Sequence, residues 1–153
     1  MNTFVRSFKT LDIIFNTLLL TQLIIGFLFY YLNSANTIEP VLSEVVFLPL
    51  IVLGINTTVI LFAKYLFTKR NKIDKKLNLE EKVHSYRSLS LLLMTMIEGV
   101  NVINLVIFLL SGSTIYLLVA VLILILYFVY RPSKDKFTEV TLTNEEELQF
   151  TQQ

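Results

Sequence analysis

The stretch of sequence that decides the fold is residues 89–130, which read LSLLLMTMIEGVNVINLVIFLLSGSTIYLLVAVLILILYFVY. It contains two apolar runs, 89–110 and 112–130. About 20 apolar residues in a helix cross a hydrocarbon core that is about 30 Å thick. The connection at 111–114 is so short that the two helices must run antiparallel. We therefore expect two membrane-spanning helices joined by a tight hairpin.

Two further apolar runs precede this hairpin, at about 13–32 and 45–63. Apolar residues make up 54% of the chain and charged residues only 16%, whereas soluble domains average about 45–50% and about 25%. The segments between the runs are shorter than the roughly 40 residues that an unaided soluble domain needs. The first run exceeds the about 7–15 residues of a signal-peptide core, so we expect it to be retained. The sequence predicts an all-α polytopic membrane protein, with a four-transmembrane-helix bundle in 1–132 and a short cytoplasmic tail in 133–153.

All 13 basic residues lie on one side of the four predicted spans. Arg6 and Lys9 precede the first span, others lie between 64 and 87, and the rest follow the fourth span. The segment 33–44 and the turn at 111–114 contain none. Lys and Arg near span ends mark the cytoplasmic side of a membrane. We therefore expect both termini in the cytoplasm and place the protein in a bacterial inner (plasma) membrane.

The loop between the second and third spans carries a basic patch that should meet the membrane surface. Its members are Lys69, Arg70, Lys72, Lys75 and Lys76. A basic residue near an anionic bilayer contributes about 1 kcal/mol of attraction, so we expect this patch to bind lipid. Docking of an acidic partner protein is the alternative. Aromatic residues do not alternate with these charges as they do in a nucleic-acid groove, and we expect no nucleic-acid partner.

Residue types that carry catalysis and metal binding are scarce in this chain. It has no cysteine and one histidine, His84, which excludes thiol chemistry and thiolate metal sites. No nucleophile–base pair is visible in the sequence. We expect no catalytic residues, no metal and no cofactor, and we interpret the chain as not an enzyme.

Local signals predict where the helices begin, end and bend. Asn78 followed by Glu81 forms a capping-box pattern, so the third helix should begin near Leu79 and extend beyond the bilayer. Pro132 should end the fourth helix, because proline cannot continue it. Pro49 should bend the outer half of the second helix.

Glu98 is the only ionisable residue deep within an apolar run, roughly 16 Å from Arg87 along the helix. We expect it to face the inside of the bundle, because a charged side chain in hydrocarbon is costly. The candidate polar partners are amide side chains on the predicted spans: Asn101, Asn104, Asn56 and Asn16. Three interpretations stay open: a protonated Glu98 that hydrogen-bonds a neighbouring helix, a proton or cation carrier, and a contact with a partner helix.

Five short segments carry a resemblance to known proteins: residues 86–87, 97–99, 104, 109–112 and 131–134. In these segments the chain resembles a group of bacterial inner-membrane proteins of similar length and unknown function. Those proteins have a similar four-span layout, a Glu-Gly pair in the third span and an Arg-Pro pair that closes the fourth. The resemblance covers mainly residues 79–148. It implies a location and a fold, and no activity.

One helix also resembles that of a known ion carrier. Residues 96–98 with Val102, Leu105, Val106 and Leu109 are similar to the second helix of rotor-ring c subunits of ATP synthases. This resemblance implies that Glu98 holds a proton. It covers one helix only, because the glycine-rich companion helix of that family and its Arg-Gln-Pro loop are absent from this sequence.

Two functions are consistent with these features. The first is a non-catalytic integral membrane protein, either an accessory or assembly subunit or a small homo-oligomer. Its partners would be the lipid bilayer and another membrane protein or a second copy. The alternative is a proton- or cation-coupled transporter or channel that uses Glu98, with Asn101 and Asn104 as polar partners.

Overall fold

The computed structural model describes residues 3–35, 41, 47–70, 72–73 and 77–141. Within these residues every regular element is helical: α1 (Thr3–Ser34), α2 (Leu48–Arg70), α3 (Leu79–Ser111), α4 (Thr114–Val129) and α5 (Lys134–Thr141). Three helices, α1, α2 and α3, are long and apolar enough to cross a membrane, and α4 is a shorter apolar helix of 16 residues. The prediction of an all-α chain built on apolar helices is therefore confirmed.

The helices expose large apolar side chains over much of their length. Phe27 on α1 is 75% exposed, Leu53 on α2 is 62% exposed and Leu122 on α4 is 64% exposed. In water, each Å² of such surface is unfavourable by about 25 cal/mol, whereas contact with hydrocarbon removes that cost. These exposed faces are therefore of the kind expected for helices that contact lipid.

The third helix is the centre of the bundle and packs against α1, α2 and α4. The predicted capping box is present at its start. The Glu81 N–H donates to Asn78 Oδ1 at 2.8 Å, and the Asn78 N–H donates to Glu81 Oε2 at 3.2 Å. The helix has 33 residues and rises about 50 Å, so it is longer than a membrane span needs.

The turn between α3 and α4 is tight, as predicted. Gly112 adopts a left-handed φ of 68°, and its N–H donates to the Phe108 carbonyl at 2.9 Å. A residue with a side chain is strained at this φ, so glycine suits the point where the chain reverses. α4 begins at Thr114 and runs antiparallel to α3. Consequently Tyr86, near the start of α3, hydrogen-bonds the backbone of Ser133, just beyond α4.

The structure corrects the predicted bend in the second helix. α2 begins at Leu48, so Pro49 lies in its first turn, where the missing N–H removes no helical hydrogen bond. Proline at this position starts the helix instead of bending it. Residues 45 and 46, which the sequence assigns to the span, lie outside the described part of the chain.

The last described helix, α5, packs against the same core as the longer helices. α4 ends before Pro132, as predicted, and α5 then buries Phe137 completely. The Phe137 ring lies 5.4 Å from the ring of Phe8 and 5.2 Å from the ring of Tyr86. The sequence assigns 133–153 to a tail, but the structure makes α5 part of the helical body. We call this part of the molecule the α5 end; it is the side predicted to face the cytoplasm.

Candidate functional site

Two buried amide side chains on α3 each bond a different neighbouring helix. Asn104 and Asn56 of α2 form a reciprocal pair. Asn56 Nδ2 donates to Asn104 Oδ1 at 3.2 Å, and Asn104 Nδ2 donates to Asn56 Oδ1 at 2.8 Å. Asn104 Nδ2 also donates to the carbonyl of Val100, one turn earlier, at 2.8 Å. This pair joins α2 to α3 through two of the residues that the sequence singles out.

The second pair joins α1 to α3. Asn101 Nδ2 donates to Gln22 Oε1 at 2.6 Å, and these side chains are 0% and 1% exposed. Gln22 Nε2 and Asn101 Oδ1 are buried without a hydrogen-bond partner. Asn101 and Asn104 are separated by about 4.5 Å along the helix axis, so the two pairs lie at nearly the same level. We call Gln22, Asn56, Asn101 and Asn104 the polar layer.

Asn16, the predicted polar partner on α1, is not part of this layer. The structure places Asn16 on the exposed face of α1, and Gln22 makes the bond to α3 instead. The buried face of α1 carries Phe8, Leu11 and Phe15 at helical spacing, and Gln22 follows two turns after Phe15. The helical spacing of these apolar residues is the signal in the sequence that identifies the buried face of α1.

Replacing Asn104 by leucine is expected to lower the free energy of unfolding by about 1–2 kcal/mol, because Asn56 would keep a buried amide without a partner. The double variant with Asn56→Leu removes both amides and should recover most of that loss. Circular dichroism of the reconstituted protein during unfolding measures both values. Asn16→Leu is the control and should change stability by less than about 0.5 kcal/mol. Equal losses for Asn104→Leu and Asn16→Leu would show that the polar layer does not stabilise the bundle.

Glu98 lies at the edge of the buried face of α3, and the structure corrects its predicted inward position. Ile97 and Asn101 take the inward positions, at 2% and 0% exposure, and Glu98 is turned about 100° from Ile97 around the helix. Its side chain is half-buried. No hydrogen bond joins its carboxyl group to the buried hydroxyl group of Tyr127 on α4. Glu98 is therefore at the margin of the buried face and outside the polar layer.

Glu98 lies between the buried face of α3 and an uncovered face of the same helix. The ring of Tyr127 stacks on the ring of Phe15 at 4.7 Å, and its buried hydroxyl has no hydrogen-bond partner. The described helices leave one face of α3 exposed, which we call the open face: Leu92, Thr95, Gly99, Ile103 and Val106. A Cβ added at Gly99 would meet no atom within 4 Å. The open face therefore has space for a close neighbour directly beside Glu98.

The predicted basic patch divides in the structure. Lys69 and Lys72 are exposed. Lys75 and Lys76 lie outside the described residues. The prediction that Arg70 belongs to a surface patch is wrong, because its side chain is only 1% exposed. Arg70 is the last residue of α2, and helical spacing places it on the buried face after Ala63 and Leu66.

An exposed ion pair joins α1 to the end of α4. Arg131 Nη2 lies 3.2 Å from Asp12 Oδ1, and the two side chains are 46% and 51% exposed. The Arg131 guanidinium also lies over the ring of Phe15, 5.1 Å from its centroid. A pair this exposed contributes about 1 kcal/mol at most. It balances the charge of Arg131 locally.

The geometry of the described residues includes no set of three or more histidine, aspartate or glutamate side chains that could hold a metal ion. No family model, curated protein or solved structure matches this chain. The features of this chain that bear on its function are therefore the polar layer, Glu98 and the open face of α3.

Proposed function

We propose that this chain is a non-catalytic integral membrane protein of a bacterial inner membrane, and that it acts as an accessory or assembly subunit or a small homo-oligomer. In this proposal α1, α2, α3 and α4 cross the bilayer, and both termini lie in the cytoplasm. The apolar helices and their exposed apolar faces support the membrane location. The one-sided distribution of the 13 basic residues supports the orientation. α4 rises only about 24 Å, which a bilayer accommodates by local thinning.

The polar layer supports a structural role for the deep amide side chains. Each of its four amides bonds an amide on another helix. Such bonds contribute on average about 0.6 kcal/mol in membrane proteins and at most about 1.7 kcal/mol. They select which faces of α1, α2 and α3 meet. They do not form a series of ionisable groups along which an ion could move.

The observation that carries the proposal is the position of Glu98 beside the open face of α3. An acidic side chain at the centre of a bilayer costs about 2.5–3.5 kcal/mol when it faces lipid. A partner helix on the open face could approach closely at Gly99, where a small residue permits near contact between backbones. A hydrogen bond from that helix to Glu98 would remove part of the cost. An accessory subunit or a homo-oligomer therefore fits the position of Glu98.

A proton- or cation-coupled transporter or channel is the second candidate function. The observations that favour it are the half-buried side chain of Glu98 on α3 and the buried, unpaired hydroxyl group of Tyr127 on α4. A carboxyl group in that position could bind and release a proton. Asn101 lies about one turn further along α3, so it is the next polar side chain after Glu98 on that helix.

Native mass spectrometry of the full chain, released gently from membranes, tests the proposal. We expect a second copy or another membrane protein to remain bound. A parallel assay in liposomes should show no proton or cation uptake beyond that of protein-free vesicles. A monomer that drives gradient-dependent uptake would reject the accessory role and favour the transporter.

A further inference from the structure

Arg70 is a charged side chain that is buried at the α5 end with two of its donor groups unpaired. Its side chain is 1% exposed, and Nη1 donates to Ser90 Oγ of α3 at 3.3 Å. Nε and Nη2 are buried and have no hydrogen-bond partner. Among the described residues no carboxylate pairs with Arg70. A buried guanidinium in this state favours an anion beside it, because an uncompensated charge is costly away from water.

The orientation of the guanidinium group is set by its neighbours. Ser90 holds one amino group, and the guanidinium carbon lies 4.5 Å from the ring centroid of Phe67 and 5.0 Å from that of Tyr86. The two unpaired donors, Nε and Nη2, lie next to each other on one edge of the group. Two parallel N–H bonds from this edge match two oxygen atoms of a phosphate or a carboxylate. Nε and Nη2 are therefore the two donors that such an anion would bind.

A second cation, Lys136 of α5, lies in the same region of the bundle. The ring of Tyr86, over which the Arg70 guanidinium lies, also packs 5.2 Å from the ring of Phe137, the residue that follows Lys136. Burial lowers the pKa of Lys136, and the positive charges of Arg70 and Arg131 lower that pKa further. Lys136 Nζ donates to the carbonyl groups of Val129 and Arg131, at 3.0 Å and 3.1 Å. Asp12 pairs with Arg131, and among the described residues no carboxylate pairs with Arg70 or Lys136. An anion bound at Arg70 would also be attracted by Lys136.

The depth of Arg70 indicates which anion is available. From its partner Ser90 to the end of α3 at Ser111, the helix rises about 32 Å, close to the thickness of a hydrocarbon core. If the bundle spans a bilayer as proposed, Arg70 therefore lies at the level of the lipid phosphates on the α5 side.

We propose that Arg70, with Lys136 beside it, forms a binding site for a phosphate group at the α5 end of the bundle. The phosphate group belongs either to an anionic phospholipid or to free inorganic phosphate, since both offer the same oxygen atoms to the guanidinium edge. The lipid source rests on the proposed membrane location, whereas binding of free phosphate does not. The site is independent of Glu98 and of any partner on the open face.

The test compares Arg70→Gln with Lys69→Gln, a neighbouring exposed residue whose substitution removes the same charge. The full chain is reconstituted in vesicles of phosphatidylcholine with phosphatidylglycerol, and native mass spectrometry counts the lipid that stays bound. A second arm uses phosphatidylcholine alone and follows thermal unfolding as inorganic phosphate is added. Wild type and Lys69→Gln should bind alike, and Arg70→Gln should bind about tenfold more weakly.

The two arms distinguish the sources of phosphate. Retained phosphatidylglycerol without a response to inorganic phosphate assigns the site to a lipid headgroup, and a response in phosphatidylcholine alone assigns it to the free anion. Equal losses for Arg70→Gln and Lys69→Gln, or no binding by wild type in either arm, would overturn the proposal. If Arg70→Gln does not fold, Arg70→Lys keeps the charge but lacks the two-donor edge. Binding by Arg70→Lys as tight as by wild type would likewise overturn it.

Discussion

Glu98→Leu is expected to release most of the partner protein or second copy from the chain. Leucine has similar bulk but offers no group for a hydrogen bond across the open face of α3. A hydrogen bond between membrane helices contributes about 0.6–1.7 kcal/mol, so we expect association to weaken roughly three- to twentyfold. Native mass spectrometry of wild type and variant at matched concentrations measures the bound fraction. The fold itself should persist, because Glu98 lies outside the polar layer.

Glu98→Gln is the matched control for that variant. Glutamine keeps the length and the hydrogen-bonding capacity of protonated glutamic acid, so association should remain close to that of wild type. A transporter predicts the opposite pattern, because glutamine cannot carry a proton. It would lose gradient-driven uptake in Glu98→Gln while the number of bound subunits stays unchanged. Full association of Glu98→Leu would contradict the assigned role of this residue.

Phe137→Ala is expected to lower the free energy of unfolding by about 3 kcal/mol, the usual range for removal of a fully buried aromatic ring. Its ring packs against Phe8 and Tyr86, so the substitution leaves a cavity between α1, α3 and α5. Chemical unfolding in detergent micelles, followed by circular dichroism, measures the loss. Limited proteolysis should also cut α5 faster than it does in wild type.

The control for this prediction is Phe27→Ala, at a phenylalanine that is 75% exposed on α1. Most of its ring lies on the outer surface of the bundle and not in the core. We therefore expect the free energy of unfolding to change by less than about 0.5 kcal/mol. If both variants lost the same stability, α5 would not be anchored through Phe137, and residues 134–141 would behave as the separate tail that the sequence predicts.

Local signals in the sequence were sufficient for the boundaries of α3 and α4. The capping box at Asn78 and the glycine at 112 act through backbone hydrogen bonds within a few residues of themselves. These signals therefore do not depend on how the helices pack. The predicted start near Leu79, the turn predicted at 111–114 and the stop predicted at Pro132 are accordingly close to the observed boundaries.

It is much harder to predict from the sequence which residues of each helix are buried and which contact lipid. In a soluble helix the polar side marks the surface, but in an apolar helix the side that contacts lipid is as apolar as the core. The pattern therefore carries little information on which face is buried. For this reason the prediction that Glu98 faces inward is met only in part, since its side chain is half-buried, and the prediction of Asn16 as the polar partner on α1 is wrong.

Residues at helix ends were missed for a different reason. Arg70 and Phe137 are buried by contacts between distant segments: α2 with α3 at Ser90, and α5 with α1 at Phe8. A run of basic residues indicates a solvated surface, and a short segment after a proline indicates a tail. Packing between elements overrides both patterns. Helical spacing after Ala63 and Leu66 is a local signal for the burial of Arg70, but no such signal marks Phe137.

Cross-linking from the open face of α3 tests the central claim most directly, which is that a partner helix covers this face beside Glu98. The chain has no cysteine, so Thr95→Cys gives a single attachment point for a photoreactive benzophenone. Leu122→Cys, on the exposed face of α4, is the matched control. We predict that irradiation in native membranes yields a protein adduct from position 95 and only lipid adducts from position 122. Lipid adducts alone from position 95 would contradict the account.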